Sequence, residues 1–190
     1  SPHENKCCKA QFDDGAREKP AGWPYDRYEM CWGRHSCHLG VVKSLKALSA
    51  IPKRRRTADV NRSIAGACEY LLAHHIHKRS HDLSKVSKPG WLRLQFPLMY
   101  QTDVLEIADI LVDLGVRDGR MADAIDLIRS RQDGQGRWLL DSTLNGRFWV
   151  SIERKGMPST WITYRAVKLL KRISEPEPGP RLTSARGAPR

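Results

Sequence analysis

The sequence predicts an all-α fold made of helical hairpins, and three observations support this prediction. Apolar residues recur at steps of three and four along several separate stretches, which is the pattern of one buried helix face. Glycine- and proline-containing stretches, such as Pro89–Gly90, separate these periodic segments. Alternating patterns typical of strands are minor. Paired helices of roughly four turns with long connections are typical of stacked hairpin repeats.

The helices can be placed from their periodicity and from the residues that begin or end them. The predicted helices are, in chain order, His35–Ala50, Ala58–Lys78, a third from Thr102 to Gly115, a fourth from Asp118 to Gln132, and Ser159–Ile173. Thr102 is expected to cap the third helix, since its hydroxyl can accept an amide hydrogen bond. Gly115 fits the position that follows a helix C-terminus. The stretch between Trp138 and Ser159 is irregular and has room for a short hairpin.

Composition shifts divide the chain into three parts. Residues 1–34 form a loop-rich segment, and the aromatic residues Trp23, Tyr25, Tyr28 and Trp32 predict that it packs on the rest of the protein. Residues 35–173 form the helical repeat domain. Residues 174–190 contain almost no apolar side chains and are expected to be a disordered basic tail.

The bulk composition is typical of a globular domain with a hydrophobic core. The chain has 190 residues, of which 40% are hydrophobic and 28% charged. No apolar run approaches the roughly 20 residues that a spanning helix needs, and the polar start "SPHENKCCKA" does not resemble a signal peptide, so a cytoplasmic location is expected.

The net charge is the one bulk property that suggests a partner. A formal charge of +12 favours an anionic partner, such as nucleic acid or an acidic membrane surface. The densest basic run is Lys53–Arg56, and the tail adds Arg181, Arg186 and Arg190. Because this run is short, we interpret it as a solvated loop, and nucleic-acid binding is the least favoured of three functions considered below.

The stretch "SRQDGQGRWLL" at Ser130–Leu140 carries the most specific motif in the sequence. Gly134 and Gly136 end a helix, and Trp138 is costly to leave in water, so the loop is expected to fold back and bury the indole. A glutamine followed by Gly-x-Trp behind a helix resembles the QW-type repeat of terpenoid cyclases and protein prenyltransferases. In that repeat Gln132, Gly136 and Trp138 would have a structural role, with the glutamine capping the helix and stacking on the tryptophan.

Other stretches extend this resemblance over about residues 7–172. "CWGRHSCHLGVVKSLKALSAIP" and "NGRFWVSIERKGMPSTWITYRAVKLLKR" are similar to the prenyltransferase/squalene-oxidase repeat proteins of archaea and bacteria. The resemblance implies an α/α toroid of paired inner and outer helices, here a partial ring of about five helices with long loops. Such a ring would be completed by missing upstream repeats or by a homo-oligomer.

The chemistry of that superfamily does not transfer directly. The Asp-x-Asp-Asp acid motif of squalene-type cyclases is absent, since Phe12-Asp13-Asp14-Gly15 lacks the first aspartate. The zinc-ligand spacing of protein prenyltransferases is also not matched. Whether the chain is an enzyme is therefore left open.

Zinc is considered as a cofactor because of one cluster among the five cysteines and the histidines. Cys31, His35 and Cys37 are the candidate ligands, with His38 adjacent and Cys7 or Cys8 able to supply one more. The alternative is a packed helix N-terminus with reduced thiols. Cys68 falls on an apolar helix face and is expected to lie in the core.

A second cluster contains four histidines. His77 and His81 are four residues apart, which is the spacing of two side chains on one helix face. No carboxylate motif accompanies His74, His75, His77 and His81, apart from Asp82. We therefore interpret the cluster as a solvated helix end.

An acidic stripe supplies the catalytic candidates. Asp103, Glu106, Asp109 and Asp113 recur at steps of three and four, and in a cavity Asp103 or Glu106 could protonate an alkene or bind a cationic intermediate, because burial raises a carboxyl pKa. The favoured alternative is the solvated face of an amphipathic helix. Trp91, Tyr100, Trp149 and Trp161 are candidates to line an apolar cavity through their π faces, or to be core residues.

Three functions are consistent with these observations. The leading hypothesis is a terpenoid-cyclase-like α/α repeat domain of unassigned activity that binds an apolar or isoprenoid ligand. The second is a non-catalytic scaffold or protein-binding repeat, which the missing acid motif favours. The third is nucleic-acid binding through the basic run and tail, which would weaken steeply with salt.

Overall fold

The structure is a computed structural model that describes residues 37–175. The predictions for residues 1–36 and 176–190 therefore lie outside the described residues. This applies to all of the N-terminal segment 1–34, to most of the basic tail, and to the candidate metal ligands Cys31 and His35.

The described residues are predominantly helical, as the sequence predicts. They contain five α-helices, here numbered α1 (His38–Ser49), α2 (Ala58–Ala73), α3 (Val104–Asp113), α4 (Ala122–Ser130) and α5 (Thr160–Ser174). Short 3-10 helices lie in the connections at Lys53–Arg55, Pro89–Leu92 and Gly119–Met121. A small antiparallel sheet of β1 (Lys78–Arg79) and β2 (Asp82–Val86) follows α2.

Helix α3 lies at the centre of the fold. It contacts α1, α4 and α5, while α1 also packs along α2. Six of its apolar side chains and its alanine are buried in one continuous core that draws on every other helix. Burial of a large aliphatic side chain typically contributes about 1.5–3 kcal/mol. The position of α3 therefore organises both the core and the polar site described below.

Two of the predicted helix boundaries are confirmed by specific contacts. The Ser159 hydroxyl accepts a hydrogen bond from the backbone N–H of Ile162 at 3.0 Å, which caps α5. Gly115 follows the end of α3 with a φ of +89°, a left-handed conformation that favours glycine. Both signals depend on local chemistry, so the sequence alone could reveal them.

The predicted cap of α3 is wrong by one residue. Asp103, and not Thr102, is the N-cap, and its Oδ1 accepts a hydrogen bond from the N–H of Glu106 at 2.7 Å. An ionised carboxylate is a stronger acceptor for these amides than a hydroxyl. Thr102 is buried beside it.

The start and end of α4 also differ from the prediction. Asp118 caps the 3-10 helix Gly119–Met121 by accepting from the N–H of Arg120 at 2.8 Å, and α4 begins only at Ala122. The helix ends at Ser130, two residues before the predicted end at Gln132.

The second helix is shorter than predicted, because its C-terminus turns sharply. The periodicity predicts a helix to Lys78, but α2 ends at Ala73, and His75 and Ile76 have φ values of +42° and +69°. A left-handed conformation is uncommon for a β-branched residue. Here Ile76 is fully buried and its N–H donates to the carbonyl of Leu71 at 2.9 Å, which closes the helix. The chain then enters β1, a strand that the sequence analysis did not predict.

The loop around Trp138 confirms that the indole is buried. Trp138 is fully buried, and its Nε1 donates a hydrogen bond to the carbonyl of Ile128 at 2.7 Å. Gln132 and Trp138 form an antiparallel bridge, and Gly136 between them has a φ of +78°. In place of the short hairpin considered after Trp138, the described residues show two isolated bridges, an antiparallel one between Leu139 and Pro158 and a parallel one between Ser142 and Gln95.

Candidate functional site

The acidic residues of α3 face a groove between α1, α3 and α5. The groove has a volume of about 570 Å³. Helix α3 contributes Glu106, Asp109, Ile110 and Asp113 to its wall. The remaining lining residues come from the end of α1, the loop before α3 and the middle of α5: Lys46, Ser49, Ala50, Phe96, Leu98, Met99 and Arg165.

Glu106 is a buried carboxylate that two lysines neutralise. Only 2% of its side chain is exposed, and its two oxygens accept hydrogen bonds from Lys43 Nζ at 2.8 Å and Lys46 Nζ at 2.7 Å. Burial acts to raise the pKa of Glu106, but the hydrogen bonds from Lys43 and Lys46 outweigh it and hold the pKa below its usual value. Glu106 is therefore ionised at neutral pH and is not a proton donor.

Asp109 and Asp113 are paired with cations of α5. Lys168 Nζ lies 3.5 Å from Asp109 Oδ1 and 3.6 Å from Asp113 Oδ2, and Arg172 forms a second ion pair with Asp113. Asp113 is exposed, whereas Asp109 is half-buried and its Oδ1 has no hydrogen-bond partner among the described residues.

Asp103 lies behind this wall and has a structural role. It is 1% exposed, and besides capping α3 it accepts a hydrogen bond from the N–H of Gln95 at 3.0 Å through Oδ2. Burial raises its pKa to about 6, against the opposing effects of the Arg165 charge and of the two backbone donors. Because both oxygens are bound to backbone amides, Asp103 ties the loop before α3 to the helix.

The acidic stripe is therefore not a solvated helix face. This interpretation is wrong for Asp103 and Glu106, which are buried, and it holds only for the exposed Asp113. Of the two catalytic candidates, Glu106 lines the groove and Asp103 does not. One signal for this site was missed: Lys43 and Lys46 are three residues apart on α1 and so share a face, where they meet a carboxylate of α3.

Arg165 differs from the other charged groups of the groove. Lys46, Glu106, Asp109 and Asp113 all form ion pairs. Among the described residues, no carboxylate forms an ion pair with Arg165, although its charge acts on the pKa of Asp103. The sequence analysis did not single out Arg165, because nothing in its local pattern distinguishes it from the other basic residues of α5.

The predicted aromatic lining is largely wrong. Trp91 is buried in the fold, whereas Tyr100 and Trp149 are exposed, and none of these three is among the residues lining the groove. Trp161 does not line the groove itself, but it supports the groove residue Phe96, on which it stacks with ring centroids 5.1 Å apart and planes inclined by 12°.

Two of the four histidines near the end of α2 are buried, so the interpretation as a solvated helix end is wrong for these two. His74 and His77 are each 5% exposed, while His81 is exposed and His75 contacts Asp123 at 3.1 Å. His38, the first residue of α1, is fully buried beside them.

The zinc hypothesis stays a prediction, because its candidate ligands Cys31 and His35 lie outside the described residues. Within residues 37–175, no group of three or more His, Cys, Asp or Glu side chains is arranged to hold a metal ion. Cys37 is a half-buried free thiol at the N-cap of α1. The buried thiol of Cys68 lies in the core, as predicted, and burial raises its pKa.

The basic run between α1 and α2 is solvated, as expected. Lys53, Arg54 and Arg55 are exposed. Arg56 instead stabilises the end of α1, because its guanidinium donates to the carbonyls of Ser49 and Ile51, each at 2.8 Å.

The functional interpretation of the site depends on its geometry, because the comparisons with known proteins found no match. No protein-family model matches the chain, and no curated protein or solved structure is significantly similar to it. In the part of the chain that the structure describes, none of the helices has the length and apolar character to cross a membrane.

Proposed function

We propose that the chain is an α/α-repeat domain of the terpenoid cyclase and prenyltransferase type, and that its groove binds a ligand with an apolar, isoprenoid-like body. The observation that carries the proposal is the composition of the groove. Phe96, Leu98 and Ile110 supply an apolar surface, and a charged wall lies on α3. Ligand sites are typically apolar concavities with a few placed polar groups.

Two features of the fold support the repeat assignment. Helices α1 and α2 pack against each other as a hairpin, and α3 packs against both α4 and α5. The Gln132–Trp138 bridge closes the loop after α4, and the Trp138 N–H donates to the Thr163 hydroxyl of α5 at 3.0 Å. A QW-type repeat would likewise use Gln132, Gly136 and Trp138 to tie neighbouring hairpins together.

The proposal is for binding and not for proton transfer. Glu106 is held ionised by two lysines, and Asp103 uses both oxygens to bind backbone amides. Neither carboxyl has a proton aimed into the groove. The charged wall instead orients the polar end of a ligand, and the loop side chains pack on its apolar body.

A substitution at the end of α1 tests the groove directly. Ala50 is exposed and lines the groove, whereas Ala47 is equally exposed on α1 but is not among the lining residues. We expect the chain and the Ala47→Trp variant to bind farnesol or geranylgeraniol with one ligand per chain, measured by native mass spectrometry and calorimetry. Ala50→Trp should weaken binding at least about tenfold, since the indole occupies the groove.

Two outcomes would contradict the proposal. Equal affinity of Ala50→Trp and the unmodified chain would show that the alcohols bind elsewhere. Absence of binding by the unmodified chain would remove the isoprenoid-like ligand altogether.

A protein-binding repeat is the second candidate, and the outer face of α5 favours it. Trp161, Tyr164 and Val167 are exposed and follow one another at steps of three, which forms a continuous apolar stripe. Light scattering over a range of chain concentrations would measure self-association through this stripe. Tyr164→Glu should then abolish it, and a chain that stays monomeric would argue against this candidate.

A further inference from the structure

A group of large apolar side chains is exposed on the connection that leads into α5. Trp149 is 104% exposed, Val150 68%, Ile152 45% and Met157 50%. We call these four residues the apolar loop patch. Single exposed apolar residues are common on proteins, but a fully exposed tryptophan within such a group marks an interaction site.

Hydrogen bonds hold the patch in a defined place. The carboxylate of Glu153 accepts from the N–H of Thr160 at 2.8 Å, from the N–H of Trp161 at 3.3 Å and from the Ser159 hydroxyl. On the other side, Asn145 Nδ2 donates to the Glu153 carbonyl at 2.6 Å. Glu153, which directly follows Ile152, is therefore fixed to the N-terminus of α5, and this holds the C-terminal side of the patch against the fold.

The base of the loop is held as well. The N–H of Gly156 donates to the carbonyl of Leu140 at 2.8 Å, and the N–H of Leu140 donates to the carbonyl of Met157 at 2.9 Å. Leu140 is fully buried, so this pair of bonds anchors the loop to the core. The apolar side chains project from a supported base.

The loop that carries the patch also carries three exposed cations. Arg147, Arg154 and Lys155 are exposed in the same loop, and their side chains form no ion pair with any residue in the range 37–175. Both carboxylates of this loop are engaged elsewhere: Glu153 is turned toward the start of α5, and Asp141 is paired with Arg131 at 2.6 Å. The exposed charge around the apolar side chains is thus positive, in a chain with a formal charge of +12.

This combination fits the surface of an anionic lipid bilayer. Tryptophan is enriched at the depth of the lipid head groups, where its ring is partly apolar and partly polar. Anionic lipids attract basic residues close to the membrane. Stable attachment without a spanning helix needs two signals, and an apolar insertion together with a basic surface provides them. A protein surface could match the apolar side chains, but it would need a ring of acidic residues to match the three cations.

We propose that the apolar loop patch docks on anionic bilayers, with Trp149 and Val150 inserted among the head groups and Arg147, Arg154 and Lys155 in contact with anionic lipids. This site is separate from the ligand groove. Through this patch the chain would bind one surface of a membrane as a peripheral protein.

Co-sedimentation with lipid vesicles tests the proposal. We expect the full chain to sediment with vesicles of phosphatidylcholine and phosphatidylglycerol, to bind vesicles of pure phosphatidylcholine weakly, and to dissociate as salt is raised. Trp149→Ser, and separately the double variant Arg154→Glu/Lys155→Glu, should each weaken binding to the anionic vesicles by about tenfold or more. Tyr100→Ser is the matched control, because Tyr100 is also an exposed aromatic residue but lies outside the loop.

A second measurement reports the depth of Trp149. Brominated lipids should quench the tryptophan fluorescence of the chain, and the quenched fraction should fall in Trp149→Ser. Because Trp149 is fully exposed, its replacement is expected to leave the thermal unfolding midpoint unchanged, which separates loss of binding from loss of folding.

Three outcomes would overturn the proposal. The first is a chain that does not sediment with anionic vesicles, and the second is equal binding by Trp149→Ser. The third is binding that survives Trp149→Ser but is lost in Arg54→Glu/Arg55→Glu, which would place the contact at the basic run between α1 and α2.

Discussion

His38 lies against the indole of Trp91, with ring centroids 4.3 Å apart and ring planes inclined by 23°. Both residues are buried, and the rings of Tyr70 and His74 approach His38 within 5.6 Å and 5.5 Å. Burial disfavours the charged form of the His38 ring more strongly than a backbone contact with Ile76 favours it. A neutral imidazole is tolerated in this place, but a charged one is not.

The stack predicts that the protein loses stability in acid. Burial, with smaller contributions from His74 and His77, lowers the pKa of His38 from 6.5 to about 3, so between these values the unfolded chain binds more protons. The contribution of His38 is complete above pH 6.5 and is lost as the pH falls toward 3, with a limiting slope of about 1.4 kcal/mol per pH unit.

The difference between the chain and a His38→Leu variant isolates this effect. Chemical denaturation at several pH values should show a smaller loss of stability between pH 6.5 and pH 4 in the variant. The comparison is needed because Asp103 acts with the opposite sign: its pKa is raised to about 6, so its contribution is complete below its usual value of 3.8 and is lost as the pH rises. Parallel pH profiles for the two proteins would contradict the prediction.

Substitution of Gly136 should lower the stability of the protein, whereas substitution of Gly134 should not. Gly136 has a φ of +78°, and an added Cβ would lie 3.4 Å from Gln132 Nε2, whereas an added Cβ at Gly134 meets nothing within 4 Å. Gly136→Ala is expected to lower the free energy of unfolding by about 1–2 kcal/mol, because alanine is strained in this conformation. Gly134→Ala is the control and should be neutral or slightly stabilising. A reversed order in denaturant titrations would show that the turn is not constrained as described.

Asp103 should matter more to stability than an ordinary helix cap. Its carboxylate bonds the backbone at both Gln95 and Glu106, and it is buried. Asp103→Ala should therefore cost about 2–3 kcal/mol, since a buried donor is left unsatisfied in addition to the lost cap. Thr57→Ala removes the exposed cap of α2 and should cost about 1 kcal/mol or less. Equal losses for the two variants would mean that the Gln95 bond contributes nothing.

Replacing Glu106 should cost more stability than replacing one of its two lysines. Glu106→Gln leaves two ammonium groups facing each other and is expected to cost about 2 kcal/mol. Lys46→Met should cost less than about 1 kcal/mol, because Lys46 is more than half exposed and Lys43 still neutralises the carboxylate. A double-mutant cycle between positions 46 and 106 would measure the coupling. A Lys46→Met loss as large as that of Glu106→Gln would contradict this assignment.

The features that the sequence predicts correctly are local ones. The cap at Ser159, the glycine after α3 and the burial of Trp138 each follow from a residue type and its near neighbours. The shorter α2 was missed because its end depends on Ile76, which is buried in a backbone conformation that its residue type disfavours.

The groove could be predicted only in part. The acidic stripe of α3 is visible in the sequence, but its partners Lys43 and Lys46 are 63 and 60 positions away from Glu106. Pairing across such a distance is set by how α1 packs on α3, and periodicity within one helix carries no information about it. The same reason explains why Phe96 and Arg165, which come from two other segments, were not recognised as groove residues.

The contacts at the start of α5 have a thermodynamic consequence. Glu153, in the loop that carries the apolar patch, binds the backbone N–H of Trp161, and Trp161 stacks on Phe96 in the groove, so two successive contacts join the loop to the groove. If a bound molecule in the groove shifts this stack, it changes the free energy of vesicle binding, and linkage then requires vesicles to change the affinity of that molecule by the same factor. Allosteric coupling between the two sites is thus measurable from either side.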